Sequence, residues 1–186
     1  MTDIPDNFLR ANTDLTGTLK LGAAVKTIGD GAFISTKLAG LDLSDAASLV
    51  SIRVDAFSWT DITGTLVIPA NVETIGYAAF DNTKLTGLDL SNAALLVSIG
   101  WYAFAGTDIT GTLVIPAKVE TIGRGAFSDT DITGLDLSNA AKLKSIGGKA
   151  FRNTDITGTI ETPFTIPTYD TGSYPSFPSG VTIVKG

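Results

Sequence analysis

Phenylalanine recurs along this chain at an almost constant interval. Seven of the nine phenylalanines are separated by 25, 24, 23, 24, 23 and 24 residues: Phe8, Phe33, Phe57, Phe80, Phe104, Phe127 and Phe151. A threonine recurs at intervals of 23 and 24 residues in strict alternation: Thr13, Thr36, Thr60, Thr83, Thr107, Thr130 and Thr154. Two repeat types therefore alternate, and the full period is 47 residues. A fixed period of this kind predicts a solenoid, in which each repeat buries its apolar face against its neighbours.

The pattern inside each repeat predicts short strands. Residues 88–90 (LDL) in the 24-residue type and 66–68 (LVI) in the 23-residue type alternate inward and outward positions. Such alternation indicates a strand with one face toward the core and the other exposed to solvent. A second extended piece follows at 72–75 or 96–99, and a glycine then supplies a turn. No segment shows helical periodicity, so we expect a mainly β fold with little helix, whose second side consists of short strands and turns.

Composition excludes most catalytic chemistry. The 186 residues include no cysteine and no histidine, which rules out disulfides, zinc fingers, thiol nucleophiles and Ser-His-Asp triads. A formal charge of −6 argues against nucleic acid and anionic membranes as partners, because both need a basic face. No apolar stretch is long enough for membrane insertion or for a signal peptide. We therefore expect a protein that is not an enzyme and that has no metal or cofactor.

The repeats resemble a known family. The pattern L-x-x-I-x-I-P-x-x-V-x-x-I-G-x-x-A-F is typical of BspA-like, or treponemal-type, leucine-rich repeats, and residues 68–80 (IPANVETIGYAAF) and 115–127 (IPAKVETIGRGAF) match it. The resemblance covers roughly residues 4–160. The chain departs from the family in having threonine where cysteine commonly follows the A-F pair, and LDLS in place of I-P in the longer repeats. The resemblance implies a right-handed leucine-rich-repeat solenoid of about seven turns with a parallel β-sheet on one face.

The resemblance also implies a function. Similar proteins are surface or secreted proteins of bacteria and some protists that bind host or neighbour-cell proteins. This implies a protein-recognition or adhesion module located outside the cell or on its surface. A structural spacer or self-assembling repeat protein is the alternative, and an ice-binding or glycan-binding surface is a further one. Because no signal peptide precedes the repeats, we expect either a fragment of a larger surface protein or a small self-contained protein.

Both ends depart from the repeat and predict caps. Residues 1–12 hold half a repeat, residues 13–153 form six alternating repeats, and residues 154–186 contain the last repeat strand and a segment rich in proline and aromatic residues. That segment carries Pro163, Phe164, Pro167, Tyr169, Tyr174, Pro175, Phe177 and Pro178. Caps of this kind would shield the apolar edges of the terminal repeats and block end-to-end strand pairing.

An aromatic cluster in the central repeats is the first candidate binding site. Tyr77 and Trp101 directly follow the turn glycine in adjacent repeats, Tyr102 is next in sequence, and Trp59 is expected nearby. Exposed aromatic groups near a charged rim are frequent anchors for a protein or glycan partner. The alternative interpretation is that these side chains pack on the convex surface as part of the core.

A column of acidic residues is the second candidate. The outward strand position is occupied in successive repeats by Lys20, Asp42, Val67, Asp89, Val114, Asp136 and Glu161. Strands stack about 4.8 Å apart, so Asp42, Asp89 and Asp136 should be separated by about 10 Å, too far to share a proton or a metal ion. The spacing loosely fits an inverting glycosidase, but a repeated column gives every carboxylate the same environment. A solvated face or a partner-binding face is the prediction.

Two columns of hydroxyl groups complete the pattern. The second extended piece carries a hydroxyl in each repeat: Thr27, Ser51, Thr74, Ser98, Thr121 and Ser145. Such an array is what an ice-binding surface needs, although its neighbours in the strand are long or charged. The recurring threonine after the A-F pair is expected inside the solenoid, with its hydroxyl bonded to the backbone between repeats.

Overall fold

The structure of the protein, a computed structural model, describes residues 3–162, 177–178 and 181–185. Within them the chain forms a parallel β-solenoid of about eight turns, here called rungs, with no helix. The strands are β1 (Asp3–Ile4), β2 (Thr16–Lys20), β3 (Thr27–Ile28), β4 (Lys37–Asp42), β5 (Ser51–Ile52), β6 (Thr63–Val67), β7 (Thr74–Ile75), β8 (Lys84–Asp89), β9 (Ser98–Ile99), β10 (Thr110–Val114), β11 (Thr121–Ile122), β12 (Asp131–Asp136), β13 (Ser145–Ile146), β14 (Thr159–Thr162) and β15 (Thr182–Lys185). The predicted mainly β solenoid is confirmed.

The continuous sheet is built from the shorter strands. Seven two-residue strands, β1, β3, β5, β7, β9, β11 and β13, pair in parallel in one unbroken register. The longer strands that carry the leucine pattern pair only in twos: β2 with β4, β6 with β8, β10 with β12, and β14 with β15. In the first three pairs the register shifts by one residue after a glycine of positive φ, such as Gly64 at 81°. A bulge of this kind increases the local twist, which accompanies the break between one pair and the next.

The phenylalanine column is the centre of the core. Phe33, Phe57, Phe80, Phe104, Phe127 and Phe151 are buried, and neighbouring rings stack with centroids 5.2–5.5 Å apart. At the first rung Phe8 meets Phe33 edge-on at 6.3 Å and stays 47% exposed. At the other end Phe177 stacks on Phe151 at 5.4 Å. The column therefore runs the length of the solenoid, whereas residues 163–176, which include most of the predicted C-terminal cap, lie outside the described residues.

The threonine column differs from its prediction. The hydroxyls of Thr60, Thr83, Thr107, Thr130 and Thr154 are buried, but each donates to the carbonyl of the phenylalanine three residues earlier in its own rung, at 2.9–3.0 Å. The predicted hydroxyl bonds between rungs are therefore wrong. Backbone amides make that connection instead, as where the Phe80 amide donates to the Ala103 carbonyl at 2.8 Å. The turn after each phenylalanine brings that residue's carbonyl within reach of the threonine hydroxyl in the same rung.

Glycines set how closely the rungs approach. A Cβ added at Gly76, Gly100, Gly123 or Gly147 would lie 2.4–2.7 Å from backbone atoms of the preceding rung. Any side chain at these positions must push the neighbouring backbone away. The glycines directly precede the positions of the aromatic cluster, so they define the surface on which that cluster stands.

Candidate functional site

Each rung has three segments that present different surfaces. In the rung of residues 83–106, β8 is followed by β9 of the continuous sheet and then by a six-residue turn segment, 101–106. The three candidate aspartates end the paired strands, whereas the aromatic candidates lie in the turn segments. The two sets of site residues predicted from the sequence therefore belong to separate surfaces of the solenoid.

Aromatic and apolar side chains form one exposed column beside the continuous sheet. Val54, Tyr77 and Trp101 each open a turn segment in successive rungs, with exposures of 39%, 46% and 57%. Tyr102 extends the column, because its ring meets that of Tyr77 edge-on with centroids 6.1 Å apart. We call Val54, Tyr77, Trp101 and Tyr102 the aromatic patch.

Tyr102 is held in place by the next rung. Its backbone adopts a positive φ of 55°, a region that L-residues with bulky side chains rarely occupy. A Cβ added at Gly125, the equivalent residue one rung later, would lie 2.5 Å from the Tyr102 ring. The missing side chain at Gly125 therefore makes the space in which the half-buried tyrosine ring rests.

Trp59 lies apart from the patch. It closes its turn segment, at the end opposite to Val54, and is 61% exposed with a φ of 58°. The equivalent positions in the following rungs hold Asn82, Gly106 and Asp129. Among the described residues no aromatic ring contact joins Trp59 to the patch. The sequence predicted Trp59 near the other aromatic residues. It did not show that a six-residue turn segment, 54–59, separates Trp59 from the position that Tyr77 and Trp101 occupy in later rungs.

The aspartate column has a structural role that the sequence analysis missed. Asp42, Asp89 and Asp136 each accept a hydrogen bond from the backbone amide of the serine two residues later, at 2.8–2.9 Å. Each carboxylate thus closes a turn at the end of its strand. The bonds from that serine, hydroxyl first and then amide, lower the pKa of all three carboxyls. The D-L-S spacing was the signal that could have indicated this turn.

The neighbours of these aspartates in the strand pairs are apolar or basic. The register places Val67 beside Asp89 and Val114 beside Asp136, and Lys20 beside Asp42, where the two charges lie 3.5 Å apart. Lys20 also binds Asp45 at 2.9 Å. Among the described residues no group of three or more acidic side chains is arranged to hold a metal ion. Nothing in this column distinguishes one carboxylate as an acid and another as a base.

Two equivalent grooves lie where the paired strands separate. One, of about 670 Å³, is between β4 and β6, and the other, of about 660 Å³, is between β8 and β10. Asp42 and Val67 line the first, and Asp89 and Val114 line the second, 47 residues later. The sequence did not reveal these grooves, since it did not show that the strands would pair in twos.

The hydroxyl column lies on the continuous sheet, where the register aligns its members one per rung. Ser51 and Thr74 are 2.9 Å apart, and Thr121 donates to Ser98 at 3.2 Å. The strands are only two residues long, so each rung contributes a single hydroxyl to this face. The neighbouring column is charged in places, with Lys144 bound to Glu120 at 2.6 Å.

Comparison with solved structures finds a distant match. A leucine-rich repeat protein from Bacteroides ovatus is a structural match at 16% identity and a TM-score of 0.33, covering 99% of this chain and 64% of that protein. This chain therefore spans less than two thirds of that protein's length. No curated protein sequence matches the chain. Among the residues described here, no helix is long and apolar enough to cross a membrane.

The family comparison covers most of the chain. Six copies of the repeat described as the BspA type leucine rich repeat region match residues 1–62 and 50–176. Repeats of this class are generally non-enzymatic scaffolds that mediate protein interactions, and proteins that carry them are typically secreted or on the cell surface. From the extent of this match and the solenoid that its residues form, the chain belongs to the BspA-type leucine-rich repeat family.

Proposed function

We propose that this chain is an adhesion module of a secreted or cell-surface protein, and that it holds a protein partner on the aromatic patch. The partner would lie across three successive rungs and contact Val54, Tyr77 and Trp101 together. The observation that carries the proposal is the exposure of these three side chains in one column. Large exposed aromatic groups of this kind are the anchors that dominate protein interfaces.

The ring of Tyr102 supports this interpretation of the patch. A positive φ occurs at the equivalent position of every rung, at Asn7, Gly31, Asp55, Ala78, Gly125 and Lys149, so the backbone of Tyr102 follows the repeat. Its ring is particular to this rung: it meets Tyr77 edge-on, with centroids 6.1 Å apart, and supports that ring from the side.

The ends of the solenoid support a monomeric module over a self-assembling one. We propose that residues 1–12 and 154–186 are caps around six repeats at 13–153. Phe8 and Phe177 each cover one end of the phenylalanine column, which would otherwise be available for stacking a second copy. Asp42, Asp89 and Asp136 are assigned a secondary role, as negative groups that a basic partner would approach, and the first two of them line the grooves.

Removal of the patch tests the proposal. The double variant Tyr77→Ala/Trp101→Ala should lose binding to a partner drawn from a panel of purified extracellular proteins, by about a hundredfold or more, measured by biolayer interferometry. Its free energy of unfolding in urea should stay within about 1 kcal/mol of the wild type, because both side chains are largely exposed.

A matched control uses exposed apolar residues on another surface. Val67→Ala/Val114→Ala removes side chains that are about as exposed, at the rims of the two grooves. This variant should bind the partner like the wild type. Equal loss of binding in both variants would show that the patch is not the site, and a loss of several kcal/mol of stability in the patch variant would show that it belongs to the core.

A further inference from the structure

A third groove lies on the continuous sheet, where the aromatic patch ends. It has a volume of about 410 Å³ and is lined by Ser98, Trp101, Thr121, Arg124 and Ser145. Gly100, Gly123 and Gly147 form its floor. Arg124 occupies the position of Trp101 one rung later, and Gly148 occupies it in the rung after that. Gly148 also lines the groove and adds no side chain to it. We call this depression the Arg124 groove.

Arg124 has no carboxylate partner among the described residues, and its Nε is buried without a hydrogen-bond acceptor. Arg53 shows what the same side chain does elsewhere on the solenoid, since it binds Asp6 at 3.2 Å and Asp30 at 3.0 Å. A buried donor without a partner is destabilising, because it has lost its hydrogen bonds to water without replacing them. A ligand that brings an acceptor into the groove would satisfy this donor.

The surroundings of the groove favour an anion. Residues 118–152 carry six basic and four acidic side chains, whereas residues 1–117 carry six basic and twelve acidic ones. The acidic residue that precedes Thr121 is Glu120, and Lys144 binds it at 2.6 Å. Lys149 follows Gly148 directly. The groove thus lies in a region of an acidic chain where positive charge is in excess, and carboxylates, like phosphates, bind a guanidinium with two parallel hydrogen bonds.

The groups available in the groove fit a sugar better than a peptide. The amides of its floor are already bonded, Gly100 to Ile75, Gly123 to Ile99 and Gly147 to Ile122, all at 2.7–2.8 Å. A peptide main chain would therefore find no amide donor at these three glycines. The other groups in the groove are three hydroxyls, of which Thr121 already donates to Ser98 at 3.2 Å, an exposed indole ring and a guanidinium. Sugar hydroxyls can pair with the donors and acceptors that these hydroxyls have left, and the apolar face of a sugar ring can stack on the indole.

We propose that the Arg124 groove binds an acidic oligosaccharide, with Arg124 holding a sugar carboxylate and Trp101 stacking on a sugar ring. Ser98, Thr121 and Ser145 contact the hydroxyls of the adjoining residues. The site is separate from protein recognition by the aromatic patch, although the two share Trp101. A carboxylate of this kind occurs in hexuronate polymers and in sialylated glycans, and both present the same chemistry to the guanidinium.

Titration with defined sugars tests the site. In a Trp59→Phe background Trp101 is the sole tryptophan, and its fluorescence reports on the groove. Oligogalacturonate and sialyllactose are titrated separately, each against its neutral counterpart, galacto-oligosaccharide or lactose. At least one acidic sugar should change the Trp101 emission at up to millimolar concentration, and its neutral counterpart should bind about tenfold more weakly or less. The acidic sugar that binds identifies the source of the carboxylate.

Charge variants separate a built site from general attraction. Arg124→Gln should weaken binding by about tenfold or more, whereas Arg152→Gln, which removes the same charge from an exposed residue outside the groove, should change it by less than about twofold. Gly148→Val should also weaken binding, because it fills the space beside Arg124 with the side chain that Val54 carries in an earlier rung. Circular dichroism checks that all variants are folded.

Three results would overturn the proposal: no acidic sugar binds, neutral sugars bind equally well, or Arg124→Gln and Arg152→Gln lose binding to the same extent. The variant Tyr77→Ala distinguishes this proposal from the protein-recognition proposal. It should reduce binding of a protein partner and leave the sugar titration unchanged, so either proposal can fail while the other stands.

Discussion

At the scale of single residues, the hydroxyls of the threonine column differ in their effect on stability, because some are hydrogen-bonded and one is not. Thr83 donates its hydroxyl to Phe80 O at 3.0 Å, and four other members of the column make the same bond. Thr36 is equally buried, yet its hydroxyl has no hydrogen-bond partner in the described structure. The same substitution should therefore have opposite effects at the two positions.

Thr83→Val should lower the free energy of unfolding by about 1–2 kcal/mol, because a buried carbonyl loses a donor. Thr36→Val should be neutral or stabilising, because it removes a hydroxyl that is buried without a partner. Urea denaturation of both variants provides the measurement. Equal destabilisation at both positions would show that the Thr36 hydroxyl is satisfied in solution.

The aspartates that close the strand turns should make stability depend on pH. Hydrogen bonds from Ser91 and Ser138 lower the folded-state pKa of Asp89 and Asp136 below their ordinary value of 3.8. The unfolded chain therefore binds protons first as the pH falls. The stability that these groups contribute is fully present above the unfolded pKa and is lost below it.

We expect Asp89→Asn/Asp136→Asn to be less stable than the wild type at about pH 7. The difference should shrink at about pH 3, where these carboxylates are already largely protonated in the unfolded wild-type chain. Urea denaturation at both pH values measures the two differences. A difference that stays constant with pH would show that it does not come from the lowered pKa of the two carboxyls.

At the scale of elements, the glycine within the longer strands of the six repeats has two structural roles. In the 23-residue repeats the glycine has a positive φ and the strand shifts register, as at Gly64 with φ 81°. In the 24-residue repeats φ is not positive, but a Cβ at Gly87 would lie 2.7 Å from the Thr65 hydroxyl. The same repeated glycine thus permits a bulge in one strand and allows a threonine side chain to pack closely against its partner strand.

Gly64→Ala should destabilise the protein by about 1–2 kcal/mol through backbone strain alone, since an added Cβ there meets nothing within 4 Å. Gly22→Ala is the matched control: its Cβ also has open space, and its φ is not positive. That variant should be neutral, or more stable by about 0.4–1 kcal/mol. Thermal or urea unfolding compares them, and equal effects would show that the bulge does not need glycine.

At the scale of the whole molecule, the natural unit is two rungs. Each longer strand of a 23-residue repeat pairs with that of the following 24-residue repeat, and the grooves lie between these pairs. The core and the continuous sheet run through every rung without this alternation. Stability should therefore increase by pairs, as a sum of repeat and interface contributions.

Insertion of a second copy of residues 60–106 after residue 106 should give a folded protein with a higher urea midpoint and a larger m-value. Insertion of residues 83–106 alone places two 24-residue repeats together and leaves one longer strand without its partner. This control should gain less stability for each residue added. Equal gain per residue would show that the single rung is the folding unit.

Much of this architecture follows from the sequence alone. The constant spacing of Phe33 to Phe151 defines a column of stacked rings, because residues that recur once per rung must lie above one another. The alternation in 66–68 likewise predicts that Leu66 and Ile68 are buried and that Val67 points outward. In 88–90 it predicts the buried Leu90, whereas Leu88 is only partly buried. These features depend on period, and period is visible in a single chain.

Only the tertiary structure decided how these columns combine. The longer strands pair in twos, with a bulge at Gly64 and its equivalents, and Asp89 and Trp101 lie on different segments of the same rung. Among the described residues the Nε of Arg124 has no partner, and the groove beside it is formed by residues of neighbouring rungs. A repeat pattern assigns each residue to a column, but contacts between columns depend on how far each segment of the rung extends before it turns.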